Sequence, residues 1–222
     1  MLPPIIICST KGTCLPVLMA SIEEYVPVEV EVYLFQKKSR IFNSEKGRLI
    51  YHCGNHGSSF GESYNMAVDT VLSDGYDSVV IANDDIVLTP TSWSLMMADV
   101  EALKDTKVGW IGIRSDFARR QQNYALMPSD KYMPTDIISP YLGWISKEAW
   151  EHGRFPNISY FSDDISSVQL AEAGYQNYVS SGYSHHVGAQ TCKEGAEKHV
   201  LESIAWIKQN RPDLYKLWDL NR

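Results

Sequence analysis

The stretch "VVIANDDIVL", residues 79–88, sets two adjacent carboxylates, Asp84 and Asp85, between two apolar runs of strand type. Carboxylates are poor strand formers and costly to bury, so their place at the end of a core strand needs a cause. A turn accounts for one of them, and a metal ion accounts for both. Asn83 stands immediately before the pair. In open α/β sheets, ligands bind beyond the carboxyl ends of the strands. Asn83, Asp84 and Asp85 fall there if the preceding run is a parallel strand. Oxygen ligands of this type suit a hard cation such as Mg²⁺ or Mn²⁺, which commonly bridges protein carboxylates to phosphates. The alternative is an Asx-turn that closes the strand.

On either side of this stretch the pattern alternates between strand and helix. "IIIC" at 5–8 reads as a short buried strand, broken by "TKGT", and Leu15, Leu18 and Ile22 follow at helical spacing. "VEVEVYLF" at 28–35 alternates strictly, which predicts a strand with one wetter face. "GRLIYHC" at 47–53 reads as a third strand, and Phe60, Tyr64, Val68 and Val71 then share one helical face. "YDSVVIA" at 76–82 is the next strand. Trp93, Met96, Met97 and Val100 make another helical stripe, and "KVGWIGI" at 107–113 a further strand. This order predicts an α/β domain with a largely parallel sheet.

Residues 114–140 differ, with weak periodicity and the prolines Pro128, Pro134 and Pro140. Such a long connection is expected to be functional or partly mobile. "YLGWIS", a short helix "KEAWEHG", a helix over 163–173 ended by Gly174, and a strand "YQNYVSSG" follow. Val200, Ile204 and Ile207 then share a helical face, and Pro212 interrupts the tail. The expected organisation is a single domain over 1–222, softly divided into halves at 1–113 and 114–222.

The chain has 222 residues, enough for a proper core. Hydrophobic residues make up 44% and charged residues 21%, as in ordinary globular proteins. A net charge of −7 argues against a nucleic-acid partner, which would require a basic face. No apolar run reaches transmembrane length, so no integral membrane segment is expected. The opening "MLPPIIICST" lacks the basic region of a signal peptide. Cys8, Cys14, Cys53 and Cys192 form no CxxC pair, and reduced thiols in a cytoplasmic protein are expected.

Three further motifs each carry two readings. In "YFSDDISSVQLAEAG", 160–174, Ser162 can cap a helix whose first turn holds Asp163 and Asp164, acids that complement the helix dipole. The other reading is a general base and a carboxylate that orients its partner. In "YSHHVGAQT", 183–191, His185 and His186 would point to opposite faces of a strand, so at most one of them readily joins a given site, and the other reading is structural. "GNHGSSFGESYN", 54–65, leads into a helix and could offer backbone N–H groups to a nucleotide, although it matches neither nucleotide-binding glycine fingerprint.

The order of these motifs resembles the GT-A fold glycosyltransferases, especially the large inverting family 2 group. That family has a first strand followed by a polar break, here "IIICST". An N-x-G…N segment follows, here Asn55, Gly57 and Asn65, and then a D-x-D-type motif, here Asn83-Asp84-Asp85. Downstream, a "G-x-F…ED…aG" stretch is matched by Gly153, Phe155, Asp163, Asp164 and Gly174, and a final H-x-G by His186 and Gly188. The likeness covers roughly residues 5 to 191. It implies a GT-A (Rossmann-like) domain whose central mixed, mostly parallel sheet is flanked by helices. The implied partners are a nucleotide-sugar donor and a glycan or other hydroxylated acceptor.

Carried over residue by residue, Asp85 and His186 meet Mn²⁺ or Mg²⁺ on the donor diphosphate. Asn83 lies near the ribose or sugar, with Asp84 beside it, and Ser9, Thr10 and Lys11 lie where the nucleoside binds. Asp164 is the implied base for the acceptor hydroxyl, Asp163 contacts donor or acceptor, and Trp144 falls in the acceptor region. The chain departs from the family at the end of the second strand, where Gln36 and Lys37 replace an acidic turn that contacts the nucleobase. It departs again at Asn83, where an acid is usual. Lys11, Arg119 and Arg120 are candidates to neutralise the leaving diphosphate, and 114–140 is a candidate mobile segment over the donor. A nucleotidyltransferase and a catalytically silent nucleotide- or glycan-binding module are the rival readings. The first is disfavoured by the lack of an early G-x-G-x-R-like loop.

Overall fold

The computed structural model describes residues 1–37, 44, 46–55, 57–116, 118, 121–127, 129–187 and 196–220. Arg119, Arg120, Gly188 and Cys192 lie outside the described residues, as does His56 of the glycine-rich loop. The elements run β1 (Ile5–Ser9), α1 (Leu15–Tyr25), β2 (Val32–Gln36), β3 (Ile50–Gly54), α2 (Phe60–Ser73), β4 (Ser78–Asn83), β5 (Ile86–Leu88), α3 (Ser92–Ala102) and β6 (Val108–Arg114). They continue with β7 (Met133–Thr135), β8 (Leu142–Ser146), α4 (Lys147–His152), α5 (Ser162–Glu172), β9 (Gln176–His186), α6 (Ala196–Asn210) and α7 (Pro212–Leu217). Among the described residues no helix is long and apolar enough to cross a membrane.

The strands form one mixed sheet in the order β3-β2-β1-β4-β8-β6-β9-β5, with β7 also paired to β9. β3, β2, β1 and β4 are mutually parallel. β8 enters antiparallel between β4 and β6, which leaves β6 and its parallel neighbour β9 running the same way as β1. The carboxyl ends of β1, β2, β3, β4, β6 and β9 therefore share one edge of the sheet. Alternate residues of each strand serve opposite layers. Ile5 and Ile7 pack with α1 and α3, while Ile6 packs with α2, α4 and α5. A third cluster, Ile158, Ile165, Ile207 and Leu214, joins α5 to α6 and α7.

Two expectations are corrected. β2 is buried on both faces, because it lies between β1 and β3 with helices above and below. The alternation that suggested a wetter face belongs to residues 28–31, which form a turn started by Pro27, with the Val30 N–H bonded to the Pro27 carbonyl. The helix α5 does not begin on a Ser162 cap. Phe161 is its N-cap, in the left-handed region at φ 64°, and makes no side-chain cap bond.

Two bulges set the path of β9. At the first, β6 carries one extra residue between Val108 and Ile111, and the Asn177 carboxamide accepts the Trp110 N–H at 3.0 Å. At the second, β9 carries two extra residues opposite Gly112–Arg114. Buried Asp99 fills that gap, accepting from the Ser181 N–H at 2.7 Å and the Ser180 hydroxyl at 2.6 Å. A buried carboxylate with several donors replaces the ladder bonds that the bulge removes.

Candidate active site

The parallel carboxyl edge opens into a cleft of about 400 Å³. Thr10 after β1, Lys37 after β2, Asn55 after β3, Asn83 at the end of β4 with Asp84 and Asp85 after it, and His186 at the end of β9 all line it, with the first turn of α2 as one wall. α2 presents its N-terminus here through a local capping device. Ser59 is the N-cap and accepts the Glu62 N–H, while the Glu62 carboxylate reaches back to the Ser58 N–H at 2.7 Å. Gly57 lets the preceding loop close on that turn, because a Cβ there would sit 2.3 Å from the Ser63 hydroxyl and 2.6 Å from its amide nitrogen. The Asn55 carboxamide accepts the Gly57 N–H at 3.0 Å and fixes the loop as an Asx-turn.

Asp84 and Asp85 occupy the turn between β4 and β5, and both are buried. Their roles diverge. Asp84 accepts the Ser9 hydroxyl at 2.6 Å, a bond that ties the end of β1 to the end of β4. Burial raises the Asp84 carboxyl above its ordinary value, the Ser9 bond opposes that rise, and the neighbouring Asp85 charge adds to it. Asp85 instead meets His186, with Oδ1 3.2 Å from Nε2. Antiparallel pairing places Ile86 opposite His186 and Val87 opposite His185, and the Val187 N–H donates to the Asp85 carbonyl at 2.9 Å. The His186 ring also stacks on Tyr141 at 4.9 Å between centroids.

The two histidines point to opposite faces, as strand alternation requires. His185 Nδ1 lies 2.6 Å from Asp116 Oδ2, and the other oxygen of Asp116 accepts the His186 N–H at 3.1 Å. Burial works against ionisation of Asp116, but the bonds from the His186 N–H and the Ser115 hydroxyl outweigh it and hold the carboxyl below its usual range. Tyr141, which lines the smaller cleft, and Asp116, which braces the two histidines from outside the clefts, are residues that the sequence patterns do not single out. Asp116 precedes His186 by 70 positions and belongs to no periodic segment.

A second cleft of about 300 Å³ adjoins the first and holds Asp163 and Asp164 with Ser139, Pro140, Tyr141, Phe161 and Ser162. Phe60, Asn83, Ser159, Tyr160 and His186 line both clefts and so form the passage between them. Asp85 thus stands on one side of a waist and the acid pair on the other, with His186 at the waist itself.

Other residues singled out by sequence fall elsewhere. Ser9 is 1% exposed, with its hydroxyl committed to Asp84. Lys11 is exposed on the loop after β1 and is not among the residues lining either cleft. Asn65 braces the chain behind the site. It donates to the Phe155 carbonyl at 2.7 Å and accepts the Phe155 N–H at 3.2 Å. Trp144 sits in mid-β8 opposite Val80 and Ile111, packed against the α1/α3 layer. Of the described residues of 114–140, Ser139 and Pro140 line the smaller cleft and the others line neither.

Among the described residues no group of three or more His, Cys, Asp or Glu side chains is placed to share an ion. The donors at hand are the Asp85 carboxylate and the His186 imidazole. Two donors bound side by side to one ion at about 2.1 Å each lie about 3 Å apart, so the 3.2 Å separation fits cis ligands as well as a hydrogen bond.

No family model matches the sequence, and no curated protein matches it significantly. Solved structures do match. The S. aureus TarS fragment 1–349 superposes with a TM-score of 0.59 at 14% identity, over 84% of this chain and 60% of that one. A structure of that fragment in complex with UDP-GlcNAc gives 0.58 at 13%, over 83% and 58%. A longer S. aureus TarS structure gives 0.56 at 12%, over 93% and 40%. The chain therefore spans about three-fifths of the fragment's length. At these identities the likeness establishes the fold alone, a mixed α/β sheet flanked by helices, of the GT-A type.

Proposed function

We propose that this chain is a glycosyltransferase domain that moves a sugar from a nucleoside-diphosphate donor to a glycan or other hydroxyl acceptor, with inversion. The observation that carries the reading is the pair of clefts joined at Asn83 and His186, with Asp85 on one side and Asp163–Asp164 on the other. The larger cleft takes the donor. Lys37 on its wall adds a positive charge against the phosphates. Asp85 and His186 would hold Mn²⁺ or Mg²⁺ there. Such an ion supplies positive charge against the diphosphate as it leaves.

The smaller cleft takes the acceptor. Asp164 accepts the hydroxyl proton as that oxygen attacks the anomeric carbon from the face opposite the diphosphate. Asp163 contacts the donor or the acceptor. Single displacement inverts the anomeric centre and needs no protein nucleophile. The UDP-GlcNAc-bound TarS structure supports a nucleotide sugar as the first donor to test.

The test is calorimetric titration of a panel of nucleotide sugars, beginning with UDP-GlcNAc, with and without Mn²⁺, alongside measurement of nucleoside diphosphate released in the presence of glycan acceptors. Donor binding plus acceptor-dependent release is expected. No binding by any nucleotide sugar overturns the reading. Binding with neither transfer nor donor hydrolysis assigns the chain to a silent binding module instead.

A further inference from the structure

The acid pair is held by an unusual joint. Phe161 has φ 64° and ψ 3°, a left-handed conformation that bulky residues rarely adopt. It nevertheless serves as the N-cap of α5, so its backbone sets where Asp163 and Asp164 emerge. A non-glycine residue in this region persists where surrounding structure holds it there, commonly at functional sites. The structure shows what does the holding. The Phe161 ring stacks on Trp218, just beyond α7, with centroids 6.2 Å apart and an interplanar angle of 22°. One residue earlier, the Tyr160 N–H donates to the Ser203 hydroxyl of α6 at 3.2 Å.

The C-terminal helices grip α5 along its length. Ile207 of α6 and Leu214 of α7 pack with Ile165 and Ile158. At the far end of α5, Glu172 accepts from Arg211 between the two helices at 2.6 Å. The same helix α6 begins at the donor side, where Ala196 and His199 line the larger cleft. The Ser203 hydroxyl that receives Tyr160 donates in turn to the His199 carbonyl at 2.8 Å. Tyr160 itself lines both clefts.

We infer that α6–α7 is the positioning element of the transfer reaction. Trp218 and Ser203 act as positioning residues that hold the strained joint at Phe161, and through it the acid pair, at the passage between the clefts. The inference rests on the glycosyltransferase reading. It goes beyond that reading by assigning a catalytic consequence to residues that touch neither acid. A displacement of the acids by about 1 Å is enough to cost on the order of a hundredfold in rate. Donor binding is expected to survive loss of Trp218, whose ring meets Phe161, a residue that lines the smaller cleft alone.

The experiment compares Trp218→Ala, Trp218→Phe and Ser203→Ala with the wild type, reading UDP-GlcNAc affinity by calorimetry, acceptor-dependent UDP release and the denaturation midpoint. Trp218→Ala is expected to lower kcat by about ten- to a hundredfold with donor affinity little changed, and Trp218→Phe to restore most of the rate. Phe161→Gly, which relaxes the backbone but deletes the ring, is expected to lose kcat without loss of fold. Should Trp218→Ala fail to fold, Ser203→Ala, which removes one hydrogen bond, carries the same test. Wild-type kcat in folded Trp218→Ala or Ser203→Ala overturns the inference and leaves the glycosyltransferase reading standing. Parallel loss of donor affinity and kcat also overturns it. Absence of binding and turnover in the wild type overturns both.

Discussion

Removal of the Ser9 hydroxyl tests how the two adjacent acids divide their work. Ser9 is 1% exposed and donates at 2.6 Å to Asp84, which is itself buried. A hydrogen bond to a charged group is worth about 1.5–3 kcal/mol, against about 0.5–1.5 for a neutral one. Ser9→Ala should therefore cost about 2 kcal/mol in the wild-type background, or about 4–8 °C in Tm for a domain of this size. Asp84→Asn keeps an acceptor for Ser9 but abolishes the buried charge and its repulsion with Asp85, so its own cost should be small. In the Asp84→Asn background, Ser9→Ala should cost only about 1 kcal/mol, leaving a coupling energy of about 1 kcal/mol. Urea denaturation of the four proteins at pH 7 measures this cycle. Equal costs of Ser9→Ala in both backgrounds, or a loss below about 0.5 kcal/mol in the wild type, would refute the assignment of Ser9 as the anchor of Asp84.

Asp85→Asn should remove Mn²⁺-dependent enhancement of nucleotide-sugar binding while leaving the denaturation midpoint near that of the wild type; calorimetry with and without the ion reads this. Gly57→Ala should weaken nucleotide-sugar binding and cost about 1–3 kcal/mol by overpacking, because the added Cβ meets the first turn of α2 at Ser63; titration and thermal melting check both. Asp99→Ala should destabilise the fold by about 2–3 kcal/mol, since donors from Ser180 and Ser181 lose their buried acceptor. Burial and the bond to Glu31 push the Tyr76 phenol up to about 12 from 10.0. A raised folded value means that stability is fully present below pH 10 and is lost as pH rises towards 12. Alkaline denaturation in that window should be visibly flatter in Tyr76→Phe.

The parallel half of the sheet is legible because its strands and helices alternate in sequence as they do in space. The apolar run at 5–8, the stripe from Phe60 to Val71 and the run at 76–82 each became the element their period indicates. The left-handed Gly174 likewise ends α5 region as expected. Burial of β2 on both faces is not legible, since the clearest alternation in the chain, at 28–31, lies in a turn. Nor is the insertion of β8 between β4 and β6, which depends on pairings of Ser78 with Ser146 and of Ile111 with Trp144, far apart in sequence. The site follows the same division. Motif spacing brings Asn83, Asp84, Asp85 and His186 to one cleft. It gives no sign that Ser9 and Asn65 spend their polar groups on Asp84 and Phe155, because a serine or asparagine looks the same whether it faces a ligand or the protein. A left-handed phenylalanine has no signature in composition at all.

The double-residue bulge in β9 makes chain length part of the chemistry. His186 faces Asp85, and His185 faces Asp116, because of the number of residues between Gly182 and the end of the strand. One residue added or deleted there would exchange the two imidazoles, setting His185 or its successor against Asp85 and pulling the Asp116 clasp apart. Substitution at 183 or 184 leaves that count intact, so this segment should accept changes of identity far more readily than changes of number.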